Sequence, residues 1–193
     1  MQLLKDRIVK EGRVLPGSII KIDGFLNHKV DVSLLRAIAK EFANLFDLNG
    51  LTAVVTIEAS GIPLGTACAD EFGVPLIFAK KSKSDNIEGG LYQSEIYSYT
   101  YKKKFTLLVS RQWLGAGDKV LIVDDFLANG EALRGMIDIV DQAGAEILGI
   151  GIAVEKGFQP GGQRIREAGY NLKSLAIVES ADETGFTFRE GNT

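Results

Sequence analysis

Four short apolar runs constrain this chain more than any other feature. Residues 53–57 (Ala-Val-Val-Thr-Ile), 74–79, 120–123 and 147–154 are nearly continuous in apolar side chains, with no regular polar alternation. A strand that buries one face alternates apolar and polar residues; one that is apolar throughout needs cover on both faces. Helical patterns fall between several of these runs, near 63–72 and 131–143. Such alternation predicts an α/β fold with a parallel sheet flanked by helices. A chain of 193 residues is long enough for one domain of this kind with a small appended part. Its 46% hydrophobic content excludes general disorder.

The first 50 residues carry a different pattern. Leu3, Leu4, Ile8 and Val9 recur at helical spacing, and Gly12 offers a stop. Ile19, Ile20 and Ile22 mark a strand within 18–23, whereas 24–29 has no clear period. Asp31 or Ser33 can cap a long amphipathic helix carrying Leu34, Leu35, Ile38, Phe42, Leu45 and Phe46, ended by Asn49-Gly50. Further on, residues 80–104 interrupt the strand–helix rhythm. They are polar, with Lys80, Lys81, Lys83, Lys102, Lys103 and Lys104 around Gly89-Gly90. The stretch 95–101 can pair as a strand, so a long mobile excursion containing a ribbon is expected. It reads either as an ordinary charged surface or as a cationic flap over a phosphorylated ligand.

Composition removes several function classes. A net charge of −3 and a pI near 5.3 argue against a nucleic-acid-binding module. Cys68 is the sole cysteine, so no intrachain disulfide can form, which fits a reducing cytoplasm; in its small apolar stretch it reads as a packing residue. His28 is the sole histidine, which excludes a histidine-based metal cluster. The N-terminus has no signal-peptide pattern. No run approaches the roughly 20 apolar residues of a membrane span.

The chemistry concentrates at residues 119–132, Lys-Val-Leu-Ile-Val-Asp-Asp-Phe-Leu-Ala-Asn-Gly-Glu-Ala. A buried strand is expected to end in the acid pair Asp124 and Asp125, and a short turn with Asn129 and Gly130 enters a helix. Open parallel sheets bind ligands beyond the carboxyl ends of their strands. A helix start there presents unpaired N–H groups that suit a phosphate, and Gly130 lets the backbone come close. The two carboxylates would repel a phosphate but can accept hydrogen bonds from sugar hydroxyls. Alone, an Asp-Asp pair would simply end a strand and cap a helix; the whole context favours a sugar phosphate.

This segment is similar to the phosphoribosyl-diphosphate (PRPP) signature of the type I phosphoribosyltransferases. Together with Phe25-Leu26-Asn27-His28, Thr56-Ile57-Glu58-Ala59-Ser60-Gly61-Ile62 and Val154-Glu155-Lys156-Gly157-Phe158-Gln159-Pro160, it makes nearly the whole chain resemble the bacterial xanthine phosphoribosyltransferases. The acid pair marks the superfamily, while the Asn27 and Lys156 segments are more specific to the xanthine enzymes.

The resemblance implies the type I fold, a parallel sheet flanked by helices with a small N-terminal hood and a flexible loop. Residues 1–50 would be hood and first long helix, and 51–193 the PRPP-binding core with a C-terminal extension. Ala128, Asn129, Gly130, Glu131 and Ala132 would cradle the 5′-phosphate, and Asp124 and Asp125 would engage the ribose hydroxyls directly or through metal. Ile20 and Asn27 would contact the base, and Lys156 would hydrogen-bond its exocyclic oxygen. Glu58, Ala59, Ser60 and Gly61, with Lys81, would form the pyrophosphate side, where non-proline cis peptides are found in the superfamily. Mg²⁺ would be held chiefly by pyrophosphate and ribose oxygens, without a ligand set of the protein's own. The implied reaction joins xanthine to PRPP, giving xanthosine 5′-monophosphate and pyrophosphate, in a cytoplasmic homodimer without nucleic-acid or membrane partners.

Some positions depart from the family. Lys80-Lys81 stands where many relatives have Arg-Lys, keeping charge but losing bidentate geometry. Glu131 adds negative charge beside the phosphate loop and is tolerable only if its side chain points away. Ile20 replaces a leucine-type residue. Ala128 replaces the aspartate that hypoxanthine-guanine relatives use as a proposed base. The alternatives are therefore a guanine or hypoxanthine enzyme, or a non-catalytic PRPP-sensing regulator. The latter is disfavoured because residues 1–50 leave little room for the DNA-binding domain such regulators carry. A generic dinucleotide binder lacks its Gly-x-Gly-x-x-Gly here, and no Gly-x-x-x-x-Gly-Lys-Ser/Thr is present.

Overall fold

The computed structural model describes residues 1–17, 19–81, 90–98, 103–182 and 185–190. In chain order, α1 (Gln2–Glu11) is followed by β1 (Arg13–Leu15), β2 (Ile19–Lys21) and α2 (Val32–Leu45). Then come β3 (Ala53–Ile57), α3 (Gly61–Phe72), β4 (Leu76–Ala79), β5 (Leu91–Ser98) and β6 (Lys103–Ser110). The chain continues through β7 (Lys119–Leu127), α4 (Glu131–Ala143), β8 (Glu146–Lys156), α5 (Gly161–Glu167), β9 (Leu172–Asp182) and β10 (Gly185–Phe188). A six-stranded sheet has the order β10-β9-β8-β7-β3-β4, parallel except for β10. The pairs β1–β2 and β5–β6 are separate antiparallel ribbons.

The pleat accounts for the unbroken apolar runs. Successive side chains of a strand point to opposite faces. Val54, Leu121 and Val123 thus join a core with α1, α2, α3 and the hood residues Ile22, Phe25 and Leu26. Ala53, Val55, Ile57, Val120, Ile122, Ile150 and Ile152 join a second core beneath α4 and the β5–β6 ribbon. On β8, glycines take the place of side chains where α2 comes closest. A Cβ on Gly151 would stand 3.0 Å from the Phe42 ring, and one on Gly149 would run into Phe46. The ribbon uses the same device on α4, since a Cβ on Gly135 would lie 2.5 Å from Ile96 and 3.1 Å from Leu107.

Several boundaries differ from the sequence expectation. In α1 only Leu4 and Ile8 are buried; Leu3 and Val9 are exposed, so the apolar stripe is narrower than the spacing suggested. Asp31, not Ser33, caps α2, accepting the Ser33 and Leu34 N–H groups at 3.1 and 3.2 Å. Hydrogen bonds from Ser33, Leu34 and Arg7 hold the Asp31 carboxyl down at about 2. The helix ends at Leu45, before Asn49-Gly50, because Phe46 turns extended and packs into the core. β7 continues past the acid pair to Leu127, because Phe126 and Leu127 still pair with Val154 and Glu155 of the longer β8. The ribbon begins at Leu91 rather than near Glu95. Of the expected excursion at 80–104, residues 82–89 and 99–102 lie outside the described residues. α5, β9 and β10 went unread, although Leu175-Ala176-Ile177-Val178 in β9 is the same kind of apolar run as the others. No helix among the described residues is long and apolar enough to cross a membrane.

Replacing Gly151 by Val drives two methyls into the Phe42 ring. Overpacking of this kind costs about 1–3 kcal/mol, so the urea midpoint of Gly151→Val should fall with its slope unchanged.

Candidate active site

The carboxyl end of β7 brings the acid pair to the edge of the sheet. Being adjacent on a strand, the two carboxylates point to different sides. Asp124 packs against the start of α3: a Cβ on Gly61 would stand 2.9 Å from Asp124 Oδ1 and run into Thr56 Oγ1. Glycine at position 61 is what admits the carboxylate. Thr56 is itself fully buried and donates to the Val123 carbonyl at 2.7 Å. Asp124 Oδ1 also accepts the Asp125 N–H at 3.0 Å. Burial first, and then the neighbouring Asp125 charge, push the Asp124 carboxyl well above the usual carboxylate range.

Asp125 is only 2% exposed and turns toward the N-terminal hood. Its Oδ2 accepts Asn27 Nδ2 at 2.5 Å, so a side chain of the hood is tied directly to the acid pair of the core. Ile20, Asn27, Glu58, Ser60, Lys81, Asp124, Asp125 and Phe126 line one cleft of about 400 Å³. Ala59 and Gly61 flank Ser60 in the chain but are not among the residues lining the cleft, and the Glu58–Ala59 peptide is cis. Glu58 Oε1 accepts the Lys81 N–H at 2.5 Å, closing this side of the cleft, and the Lys81 ammonium lies 5.8 Å from the centre of the Phe105 ring.

A second hollow of about 160 Å³ is formed by Ala128, Asn129, Gly130, Glu131 and Ala132, with Ile96, Tyr97 and Phe105 of the ribbon opposite. Gly130 caps α4 at φ 86°, a left-handed conformation that disfavours other residues. The Glu131 carboxylate lies 3.7 Å from Arg134, whose charge offsets part of the negative charge beside this loop, although Glu131 still lines the hollow. Asp124, Phe126 and Ala132 line both hollows, so the two adjoin along a common wall. Lys156 meets the site through Phe126: its ammonium lies 5.4 Å from the centre of that ring and 5.8 Å from Phe158. Burial lowers the Lys156 pKa.

Sequence reasoning missed Phe126, which forms the shared wall, and the ribbon residues Ile96, Tyr97 and Phe105. The signal for Phe126 was its place directly after the acid pair on a strand; the ribbon residues had no local signal. Among the described residues no three His, Cys, Asp or Glu side chains gather into a metal cage. A carboxylate lining both hollows, in a cleft shared with the Ser60 hydroxyl, fits a cation carried on the substrate's own oxygens, and Lys81 in the same cleft suits the substrate's negative charge. The ensemble offers a glycine-bearing helix entry for a phosphate, acceptors for hydroxyls, and an apolar wall with a cation beside it for a flat ring.

Comparison with known proteins agrees with this architecture. The phosphoribosyl transferase domain matches residues 30–175. The chain is 52% identical over 191 residues to a xanthine phosphoribosyltransferase of Lachnoclostridium phytofermentans, covering 98% of each chain. It is 50% identical to one of Ruminiclostridium cellulolyticum, covering 98% of this chain and all of the relative. Among solved structures, an adenine phosphoribosyltransferase of Rhodothermus marinus superposes with a TM-score of 0.73 at 22% identity, covering 91% of this chain and 98% of that one. The APRTase of Giardia lamblia gives 0.74 at 25% identity, covering 89% and 96%. With a type I sheet, an acid pair at its central strand and a family match over most of its length, this chain belongs to the phosphoribosyltransferase family.

Proposed function

We propose that the protein is a xanthine phosphoribosyltransferase of purine salvage, forming xanthosine 5′-monophosphate and pyrophosphate from xanthine and PRPP. The observation that carries this reading is that the two hollows adjoin at Asp124, Phe126 and Ala132, with the 128–132 helix entry in one and the acid pair in the other. A phosphorylated sugar can then lie with its phosphate on residues 128–132 and its C1 toward the larger cleft. The names of relatives about half identical over nearly their whole length supply the base.

In this reading Ala128, Asn129, Gly130, Glu131 and Ala132 hold the 5′-phosphate through backbone N–H groups. Asp124 accepts from the ribose hydroxyls, while Asp125 acts mainly from behind, through Asn27. Ile20 and Asn27 position xanthine, and Lys156 donates to its exocyclic oxygen. Glu58, Ala59, Ser60, Gly61 and Lys81 form the pyrophosphate side. Asp124 would stand beside Mg²⁺ held mainly by the oxygens of PRPP, and the ion would neutralise charge on the pyrophosphate. The bond from C1 to pyrophosphate breaks, its electron pair leaves on the pyrophosphate oxygen, and a ring nitrogen of the base forms the new bond to C1. Position 128 carries no carboxylate, so the base loses its proton to water, which the more acidic xanthine does more readily than guanine or hypoxanthine. The protein's own contribution is alignment and electrostatic support of the leaving group. A cytoplasmic setting and a homodimer are part of the same reading. An apolar groove between β4 and β6, where Trp113 is 64% exposed, supports pairing of copies, and sedimentation equilibrium showing only monomer would reject it.

Pyrophosphate release from PRPP, with xanthine, guanine, hypoxanthine or adenine supplied separately, tests the assignment. Xanthine should be preferred, with a rate that rises with pH across the ionisation of the base itself. Lys156→Ala should raise the KM for xanthine about 10–100-fold, the worth of one charge-assisted hydrogen bond, with little change for PRPP. Turnover of none of the four bases, with PRPP still bound, would leave the regulator reading in its place.

Asp124→Asn should separate stability from activity. A carboxyl raised by folding contributes stability only below its ordinary range and loses it as pH rises through the raised value. The wild type therefore carries a penalty at neutral pH that the amide does not. Asp124→Asn should melt higher, by about 2–4 °C for each kcal/mol relieved in a chain of this size, and the gap should widen as pH rises. Turnover should fall by about 100-fold or more. Equal melting curves at pH 5 and pH 8 would contradict this account.

A further inference from the structure

Behind the phosphate hollow lies a buried charged cluster that none of the roles above uses. Glu155, the penultimate residue of β8, is 2% exposed. Arg166 of α5 grips it with both terminal nitrogens, at 2.8 Å to each carboxylate oxygen, and the buried Ser174 of β9 donates to it as well. Burial opposes ionisation at Glu155, but the Arg166 and Ser174 hydrogen bonds outweigh it and hold the carboxyl below the ordinary range.

The helix held by this grip is wedged between the carboxylate and the phosphate loop. Its first two residues are glycines, and each is pressed on a different side. A Cβ on Gly161 would stand 2.8 Å from both Asn129 C and Gly130 N and would run into the Ala128 carbonyl. A Cβ on Gly162 would run into Glu155 Oε1 and stand 2.7 Å from Arg166 Nη1. From the other side, a Cβ on Gly130 would lie 3.1 Å from the Gly161 Cα. Backbone therefore rests on backbone across the 128–130 turn, with no side chain between to absorb a shift.

We propose that Glu155, Arg166 and Ser174 are positioning residues for the phosphate loop: the buried fork fixes α5, and Gly161 of α5 sets the height of the 128–130 turn beneath the 5′-phosphate. Residue 155 then serves the phosphate end of the substrate and its neighbour Lys156 the base end, divided by the pleat of a single strand. The inference rests on the assignment of residues 128–132 to the sugar phosphate. It gives the cluster a reason to be an arginine fork, because lysine would keep the charge but lose the planar two-point grip that fixes an angle.

The test is steady-state kinetics of Arg166→Lys and Ser174→Ala, with folding checked by circular dichroism, beside Gly130→Ala as a direct lesion of the loop. Arg166→Lys should raise the KM for PRPP about 10-fold or more, the scale set by a small misplacement of a binding group. Its KM for xanthine should stay within about twofold, a split that general loss of stability does not produce. Thermal protection by ribose 5-phosphate should weaken in parallel, which reads the loop without turnover. Should Arg166→Lys fail to fold, Ser174→Ala leaves the fork in place and carries the same comparison with a smaller shift. A PRPP KM close to wild type in the folded variants, or an equal loss for both substrates, overturns the proposal while a PRPP defect in Gly130→Ala keeps the loop assignment. An unaffected PRPP KM in Gly130→Ala overturns the loop assignment and the proposal with it.

Discussion

Everything in the site depends on β7 being clamped between two parallel neighbours. Ala53 to Val55 of β3 pair with Val120 to Ile122 on one side, and β8 follows β7 from Lys119 to Leu127 on the other. Because β8 runs on beside it, β7 stays extended through Asp124, Asp125 and Phe126, and three consecutive side chains acquire fixed and different directions. Asp124 goes to the start of α3, Asp125 to the hood, and Phe126 to the wall shared by both hollows. A strand ending at Val123 would leave the acid pair on a loop, where neither carboxylate would be held to about an ångström, the scale on which catalytic alignment is decided.

That rigidity is bought with an electrostatic conflict. Of the two adjacent carboxylates, Asp125 is nearly inaccessible and Asp124 packs against buried Thr56, and burial with the Asp125 charge disfavours ionisation of Asp124. The hood relieves part of it, since Asn27 gives Asp125 a donor at 2.5 Å. The rest falls on Asp124, whose raised pKa is an unmet demand for positive charge or hydroxyl donors at the mouth of the cleft. A polyhydroxylated, cation-bearing diphosphate meets that demand, so the same interaction that costs stability in the free protein favours the proposed ligand when it arrives.

The sequence made the sheet legible because burial on both faces leaves a local trace. The runs at 53–57, 120–123 and 147–154 each became a strand, and Asp31 marked a helix start through chemistry confined to its next three residues. Long-range pairing left no such trace. Nothing within β7 says that it outlasts Val123, because the reason lies in β8, and nothing near Asn27 names Asp125 as its partner across 98 positions. The acid pair and the Asn129-Gly130 turn stood out from their strand–turn–helix context, whereas Ile20, Asn27, Lys156 and the pyrophosphate-side residues were gathered by resemblance; the two hollows bring most of them together. Lys156 shows the difference: spacing gives no reason to prefer it over any solvated lysine at a strand end, the resemblance of 154–160 singles it out, and its place beside Phe126 and Phe158 brings it to the wall of the site.

Glycine is where this separation between local and distant cause is sharpest. Of Gly61, Gly130, Gly135 and Gly161, only Gly130 has a positive φ; the other three are helical. The other three are fixed by what lies across from them: the Asp124 carboxylate, the Ile96 side chain and the 128–130 turn. A Gly-Gly pair such as 161–162 reads in the sequence as a loop; in the fold it is a helix start thin enough to pass between a buried carboxylate and a phosphate loop. Close approach of backbone to backbone transmits position more faithfully than side-chain packing, since a side chain can change rotamer and a main chain cannot. A site built around a charged, water-avid substrate gains from such stiffness, because each backbone N–H that is already aimed at the phosphate spares the reorganisation that water would otherwise impose.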